Sequence, residues 1–255
     1  MLWYKSFLET RSRFLIGLVI LLMSVFGTVY AYPRVERVLA AVPAAAIGGD
    51  SLIASRLKEI AELSSSYRGY IWAQALRQNV TQMLSLFAVL LGAGGLVAQA
   101  RGTLFTLSLP VSRDRLLGVR TATGLAELAV LSFVPLLLLP LLSPGVGQHY
   151  GLGEAIVHGL CFFVAGSVLF SFASLLSTVF HDQWRPILIA CFAAACLGIA
   201  EPFFGVLSRY SLFGIMNGES YFREGGVPWL GLLASAAVSA AMLFAASRNL
   251  ARQDF

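Results

Sequence analysis

The sequence predicts an all-α integral membrane protein that crosses the bilayer six times, with both termini in the cytoplasm. Three observations predict it. The 255 residues are 58% hydrophobic and only 12% charged, against about 25% charged in soluble domains. Six apolar stretches are long enough to cross a bilayer. The Lys and Arg residues gather on alternate connections. A water-soluble surface needs polar side chains, whereas hydrocarbon rewards apolar ones and leaves any polar group without a hydrogen-bond partner.

A hydrocarbon core about 30 Å thick needs about 20 helical residues to cross it. Stretches near that length run over 14–32, 81–98, 116–142, 155–180, 186–207 and 227–246. They form a single transmembrane domain over 1–255, with an outer loop at 33–80 and a cytoplasmic segment at 99–115. The apolar core of the first run is too long for the secretory leader that Val29-Tyr30-Ala31 imitates. Before it, Lys5, Glu9, Ser12 and Arg13 form a polar stripe opposite Trp3, Phe7 and Phe14. This reads as an N-terminal helix in the interface, or as a cytoplasmic extension of span one.

The outer loop is too long for a bare connector. Ile53, Leu57, Ile60 and Leu63 recur at helical spacing, which predicts an amphipathic helix there. Tyr70, Ile71, Trp72 and Leu76 mixed with Gln74, Arg77, Gln78 and Asn79 predict an interfacial helix leading into span two. Span three carries Pro135 and Pro140, which predict a bend toward its outer end.

Orientation follows from the basic residues, which short cytoplasmic connections retain. Lys5, Arg11, Arg13, Arg101, Arg113, Arg115, Arg120, Arg185, Arg248 and Arg252 fall on one side. Arg34, Arg37, Arg56, Lys58, Arg68, Arg77, Arg209 and Arg223 fall on the other, spread over a much longer length of chain. The first side is therefore cytoplasmic, and the formal charge of +5 reflects membrane-flanking residues rather than a nucleic-acid surface.

Catalytic signals are thin. Cys161, Cys191 and Cys196 lie in apolar runs, as packing residues do. His149, Glu154 and His158 are close in sequence, with Glu154 and His158 at i, i+4, but outer-interface polar residues explain them better than a metal site. His181 to Arg185 read as a short cytoplasmic turn, with Pro186 in the first turn of the next helix. Glu127, near the middle of span three, and Glu201, toward the outer end of span five, are expensive in hydrocarbon. They must face protein or a water-filled path, so both are candidates for a path or gating role, or for holding helices together. Gly92, Gly94, Gly95, Gly198 and the Ser235/Ser239 spacing predict close helix approach. No G-x-x-x-x-G-K-[ST] occurs, so ATP hydrolysis of that kind is expected in another subunit.

The segment between spans two and three joins apolar and basic residues. Leu104, Leu107 and Leu109 need a partner surface, with Thr103 placed to cap a short helix and Pro110 to stop it. Its pattern, Gly102-Thr103-Leu104-Phe105 followed by Leu107-Ser108-Leu109-Pro110 and then Arg113 and Arg115, resembles the cytoplasmic coupling segment of ABC-2 type transporter permeases, the type V exporter fold. The similarity extends to Trp3-Tyr4-Lys5, Tyr70-Ile71-Trp72, Leu212-Phe213-Gly214, Gly218-Glu219-Ser220-Tyr221 and Arg252-Gln253-Asp254-Phe255.

The resemblance implies a permease subunit of an ATP-driven exporter in a bacterial cytoplasmic (inner) membrane. It implies pairing with a second permease copy, and an ABC ATPase partner that binds ATP and magnesium and presses on Gly102 to Arg115. This chain would hold no cofactor and bind no nucleic acid. An outer re-entrant hairpin is implied near Glu201 to Val227, broken by Pro202, Gly205, Gly214 and Gly218. Relatives often carry acidic residues before the Gly-Thr pair. Here Gln99-Ala100-Arg101 stand instead, which implies a different grip on the ATPase. The alternatives are a force-relaying scaffold of an ABC-type complex and a membrane-embedded enzyme built on Glu127, His149, Glu154, His158 or Glu201.

Overall fold

A computed structural model describes residues 2–41, 63, 66–93, 113–180, 182, 184–200 and 211–252. The described residues form helices joined by turns, with no strand among them. They comprise α1 (Leu2–Ala41), α2 (Tyr67–Tyr70), a π-helical segment (Ile71–Val80), α3 (Thr81–Gly92), α4 (Arg113–Leu142), a 3-10 turn (Ser143–Val146), α5 (Leu152–Val179), α6 (Trp184–Ala200), α7 (Leu212–Met216), α8 (Glu219–Glu224) and α9 (Trp229–Ala251). Four helical stretches, Trp3–Val38, Arg115–Val146, Leu152–Val179 and Trp229–Ala251, are long and apolar enough to cross a membrane. This is the character of a multi-pass membrane protein. The second and fifth expected spans, 81–98 and 186–207, run into residues outside the described ones.

Helix α5 is the centre of the bundle. In its most apolar stretch 61% of residues are buried inside the protein, against 28 to 39% for the other three long apolar stretches. Small residues make this possible. Phe133 packs on Gly159, Leu128 on Gly166, and the Phe170 ring lies over Gly124. A Cβ on Gly92 of α3 would run into the Phe170 carbonyl of α5.

Hydroxyls hold the α5–α9 seam. Ser171 Oγ and Ser239 Oγ are 2.6 Å apart, Ser239 Oγ donates to the Ser167 carbonyl at 3.1 Å, and Asn249 Nδ2 donates to Thr178 Oγ1 at 3.0 Å. Where hydrocarbon offers no competing water, such bonds between helices help to fix the seam. The predicted close approach at Gly92 and Ser239 is thus present. Gly94 and Gly95 lie outside the described residues.

The contacts also give helix directions. Arg13 meets Leu90 and Gly17 meets Phe87, so α1 and α3 are antiparallel. Thr10 meets Glu127 and Tyr30 meets Gly145, so α1 and α4 are parallel. Helix α5 runs antiparallel to α4 and parallel to both α3 and α9. The start of α1, the end of α3, the start of α4 and the ends of α5 and α9 therefore share one end of the bundle. Lys5, Arg11, Arg13, Arg115, Arg120, Arg248 and Arg252 lie on the helix portions at that end.

Three expectations are corrected. The N-terminal segment is not a separate interfacial helix: α1 continues unbroken from Leu2 to Ala41, because no residue before Pro33 removes a backbone donor. The stretch 67–80 is more deeply buried than an amphipathic surface helix. It runs directly into α3 and buries Ile71, Trp72, Ala75, Leu76 and Val80, which the wider π turn brings to one face. Gly214 does not break a helix, since it sits inside α7, where the Ser211 hydroxyl caps its N–H at 2.9 Å. Gly218, at φ +67°, does separate α7 from α8. Pro202, Gly205 and the amphipathic repeat from Ile53 to Ile60 lie outside the described residues.

Gly92→Ala should destabilise the fold by about 1–3 kcal/mol, because the intruding methyl meets rigid backbone. Gly118→Ala, with open space around the new Cβ, should be neutral or stabilising by up to about 1 kcal/mol. Thermal unfolding in detergent compares the two directly.

Candidate functional site

Two polar assemblies and one cleft interrupt the apolar packing. The first assembly joins α1 to α4. Glu127 is 5% exposed, and its Oε1 accepts from Thr10 Oγ1 at 2.5 Å. Its Oε2 has no hydrogen-bond partner among the described residues. Nearby, Arg120 Nη1 lies 4.0 Å from Glu9 Oε2, and the Arg120 charge also acts on Arg13 and Glu127. Arg13 Nη1 donates to the Leu90 carbonyl of α3 at 2.9 Å, satisfying a group that the end of a helix leaves open.

Glu127 thus faces protein, as its cost in hydrocarbon requires. The sequence puts Glu9 and Arg13 on a polar stripe, and nothing in it marks Thr10. The buried stripe of α1 starts at Ser6 and Thr10 and continues through Gly17, Leu21, Val25, Val29 and Tyr32. That is a run at helical spacing which begins with two small hydroxyl residues rather than apolar ones.

The second assembly closes the opposite end of the bundle. Trp72 stacks on Phe222 with ring centroids 4.4 Å apart and planes 2° from parallel, and its Nε1 donates to the Asn217 carbonyl at 3.2 Å. Arg77 and Arg223 both lie over the Trp72 ring, at 5.5 and 5.9 Å. Arg68 bonds Glu154 at 3.2 Å, and Arg223 bonds Glu219 at 2.8 Å.

His158 is buried edge-on to Tyr221. Gly218 packs so closely on its ring that a Cβ there would stand 2.6 Å from Nδ1. Tyr32, Tyr67 and Tyr70 cluster with one another, with Tyr67 Oη 2.7 Å from Ser143 Oγ and Tyr70 Oη donating to the Thr28 carbonyl at 3.2 Å. Burial, reinforced by the Glu154 carboxylate, pushes the Tyr150 phenol well above its ordinary pKa and keeps it un-ionised. The two members of the His149, Glu154, His158 trio that share a helix face are therefore engaged separately, Glu154 with Arg68 and His158 with the α7–α8 turn. No group of three His, Cys, Asp or Glu suited to a metal occurs among the described residues.

Between these assemblies, a side-open cleft of about 580 Å³ separates the π segment and α3 from α6 and α7. Arg77, Gln82 and Asn217 stand in its polar part, and Leu86, Val89, Cys191, Ala194, Ala195 and Ile199 line the rest. The volume falls within the range of small-molecule sites, roughly 300–1,000 Å³. No sequence pattern announced the cleft, because its walls come from segments more than a hundred residues apart.

Of the residues read from sequence, Glu127 is placed as described, and Arg115 is exposed in the first turn of α4. Arg113 opens that helix. Gly102, Thr103, Leu104, Phe105, Leu107, Ser108, Leu109, Pro110 and Glu201 lie outside the described residues. No protein-family profile, curated protein or solved structure matches the chain.

Thr10→Val should destabilise the protein by about 1–3 kcal/mol, because it strips the buried carboxyl of its hydrogen bond. Glu127→Leu with Thr10→Val should cost less than the sum of the single changes. A double-mutant cycle by denaturation should give a coupling of about 0.5–3 kcal/mol.

Proposed function

We propose that the chain is the membrane permease subunit of an ATP-driven ABC exporter of the ABC-2 type. In this reading it crosses the membrane six times, works as a pair of copies, and is moved by separate ATPase subunits bound at its cytoplasmic face. One observation carries the reading. Ala93 and Arg113, which flank the segment with the coupling-like pattern, belong to helix ends at the basic end of the bundle, together with the start of α1 and the end of α9. Positive charge concentrated at one end favours the cytoplasmic side for that end. The segment is then positioned to receive a push from a soluble motor.

The same geometry suggests how a push would spread. Arg13 and Leu90 link α1 to α3, and Thr10 with Glu127 link α1 to α4. Displacing the connection between α3 and α4 would strain both links and shift α1 as well. The side-open cleft supplies an amphipathic surface within the subunit, in keeping with a membrane-derived cargo. The absence of a phosphate-binding glycine loop from the sequence is why the reading assigns hydrolysis to the partner.

Leu107→Asp and Arg113→Glu should each lower permease-stimulated ATP hydrolysis by about tenfold, as loss of an interface anchor does, while leaving membrane insertion unchanged. The measurement is ATPase activity of the complex reconstituted with its partner ATPase. Unaltered stimulation in both variants would overturn the coupling assignment.

A further inference from the structure

We propose that α8 is a proton-operated flap: it rests on His158 while that ring is neutral, and a proton on His158 Nδ1 releases it. Hinge positions stand on both sides. The six residues of α8 lie between Gly218 at φ +67° and Gly225 at φ +72°, a left-handed backbone that glycine adopts readily. Beyond its chain neighbours, no atom lies within 4 Å of the Cβ position of Gly225 or Gly226, so the chain after α8 has room to turn. Arg223 bonds Glu219 within α8 at 2.8 Å, which keeps the short helix one unit.

Two rings hold the flap. Phe222 stacks on Trp72, and Tyr221 meets His158 edge-on with ring centroids 5.5 Å apart. The turn at its start is tied through one carbonyl: Asn217 O accepts from Trp72 Nε1 at 3.2 Å and is also hydrogen-bonded to the His158 ring. His158 is 2% exposed, and its Nδ1 has no partner among the described residues. The nitrogen that serves the carbonyl is therefore Nε2, carrying the hydrogen of the neutral ring, and Nδ1 is the bare one.

A proton taken from water forms an N–H bond at Nδ1 and makes the ring a cation with a second donor. The closed seat offers that donor nothing. Gly218 covers Nδ1 so tightly that a Cβ there would stand 2.6 Å away. The open Asn217 Oδ1 is out of hydrogen-bond reach, since neither atom has a partner among the described residues. The Arg68 charge reaches the ring and repels a second cation. Glu154, one turn earlier on α5, is bonded to Arg68, and Glu219 is bonded to Arg223. Arg77 and Arg223 stand over Trp72 and bring no acceptor. The other titratable groups there, Tyr67, Tyr150, Tyr221 and Cys161, are uncharged in acid. Neither α7 nor the adjoining parts of α3, α4, α6 and α9 carry a charged residue. A buried charge without a partner is driven toward water, and lifting α8 opens the way to it.

The test uses the full chain in neutral detergent without any ATPase, so its outcome is separate from that of the permease assignment. Trp3, Trp184 and Trp229, all exposed, are replaced by phenylalanine, which leaves Trp72 against Phe222 as the reporter. From about pH 8 to about pH 4, a range that covers histidine charging, its emission should shift reversibly to longer wavelength. Acrylamide quenching of Trp72 should rise about threefold as local opening uncovers the ring, with helix content by circular dichroism unchanged.

His158→Gln, which takes up no proton in this range, should keep the closed emission and quenching throughout, and His158→Asn serves the same purpose if that variant does not fold. His149→Gln removes an exposed histidine and should retain the full response. Absence of the acid response in the single-tryptophan chain, or the same response in His158→Gln, would overturn the proposal.

Discussion

The close packing around α5 is the constraint on which the rest of the bundle depends. A helix in hydrocarbon gains nothing by hiding apolar surface from lipid, so its neighbours are held by contact and by hydrogen bonds between helices. On α5 the contacts come from Gly159 beneath Phe133, Gly166 beneath Leu128 and the Phe170 carbonyl against Gly92. The hydrogen bonds come from Ser167, Ser171 and Thr178 facing Ser239 and Asn249. With α3, α4 and α9 fixed to one central helix, α1 completes the bundle through its own contacts with α3 and α4. The cleft beside α6 then lies between a fixed wall and a helix that also carries exposed Leu188 and Phe192.

Much of this was legible in the sequence, for reasons that differ by element. Long apolar runs identified α4, α5 and α9 to within a few residues, because chain in hydrocarbon must satisfy its own backbone and does so as helix. The length of α1 was less visible, since the polar stripe of Lys5, Glu9 and Arg13 suits a separate interfacial helix as well as an extension of span one. In the structure Arg13 reaches a backbone carbonyl of α3, while Glu9 lies within ion-pair range of Arg120 on α4. The π segment was hidden because its buried positions follow a wider turn than the 3.6-residue period used to find helices. Its aromatic residues were read as interfacial although Trp72 is 1% exposed.

Glu127 shows the same division. That a carboxyl in the middle of an apolar span needs a partner follows from solvation alone. That the partner is Thr10 does not, since the two are 117 residues apart and threonine carries no sequence signal of its own. The cleft was equally invisible: Asn217 and Arg77 both line it although they come from distant segments of the chain. Polar groups inside an apolar protein here mark contacts between distant segments.

Coupling to a cytoplasmic motor requires the basic end of this bundle to face the cytoplasm. In a chain whose Cys161, Cys191 and Cys196 are replaced by alanine, a cysteine at Ser108 tests it with a membrane-impermeant thiol reagent. The account predicts no labelling in intact cells and full labelling once the membrane is opened. Labelling of intact cells would place that end outside and contradict both the orientation and the proposed coupling to a cytoplasmic motor.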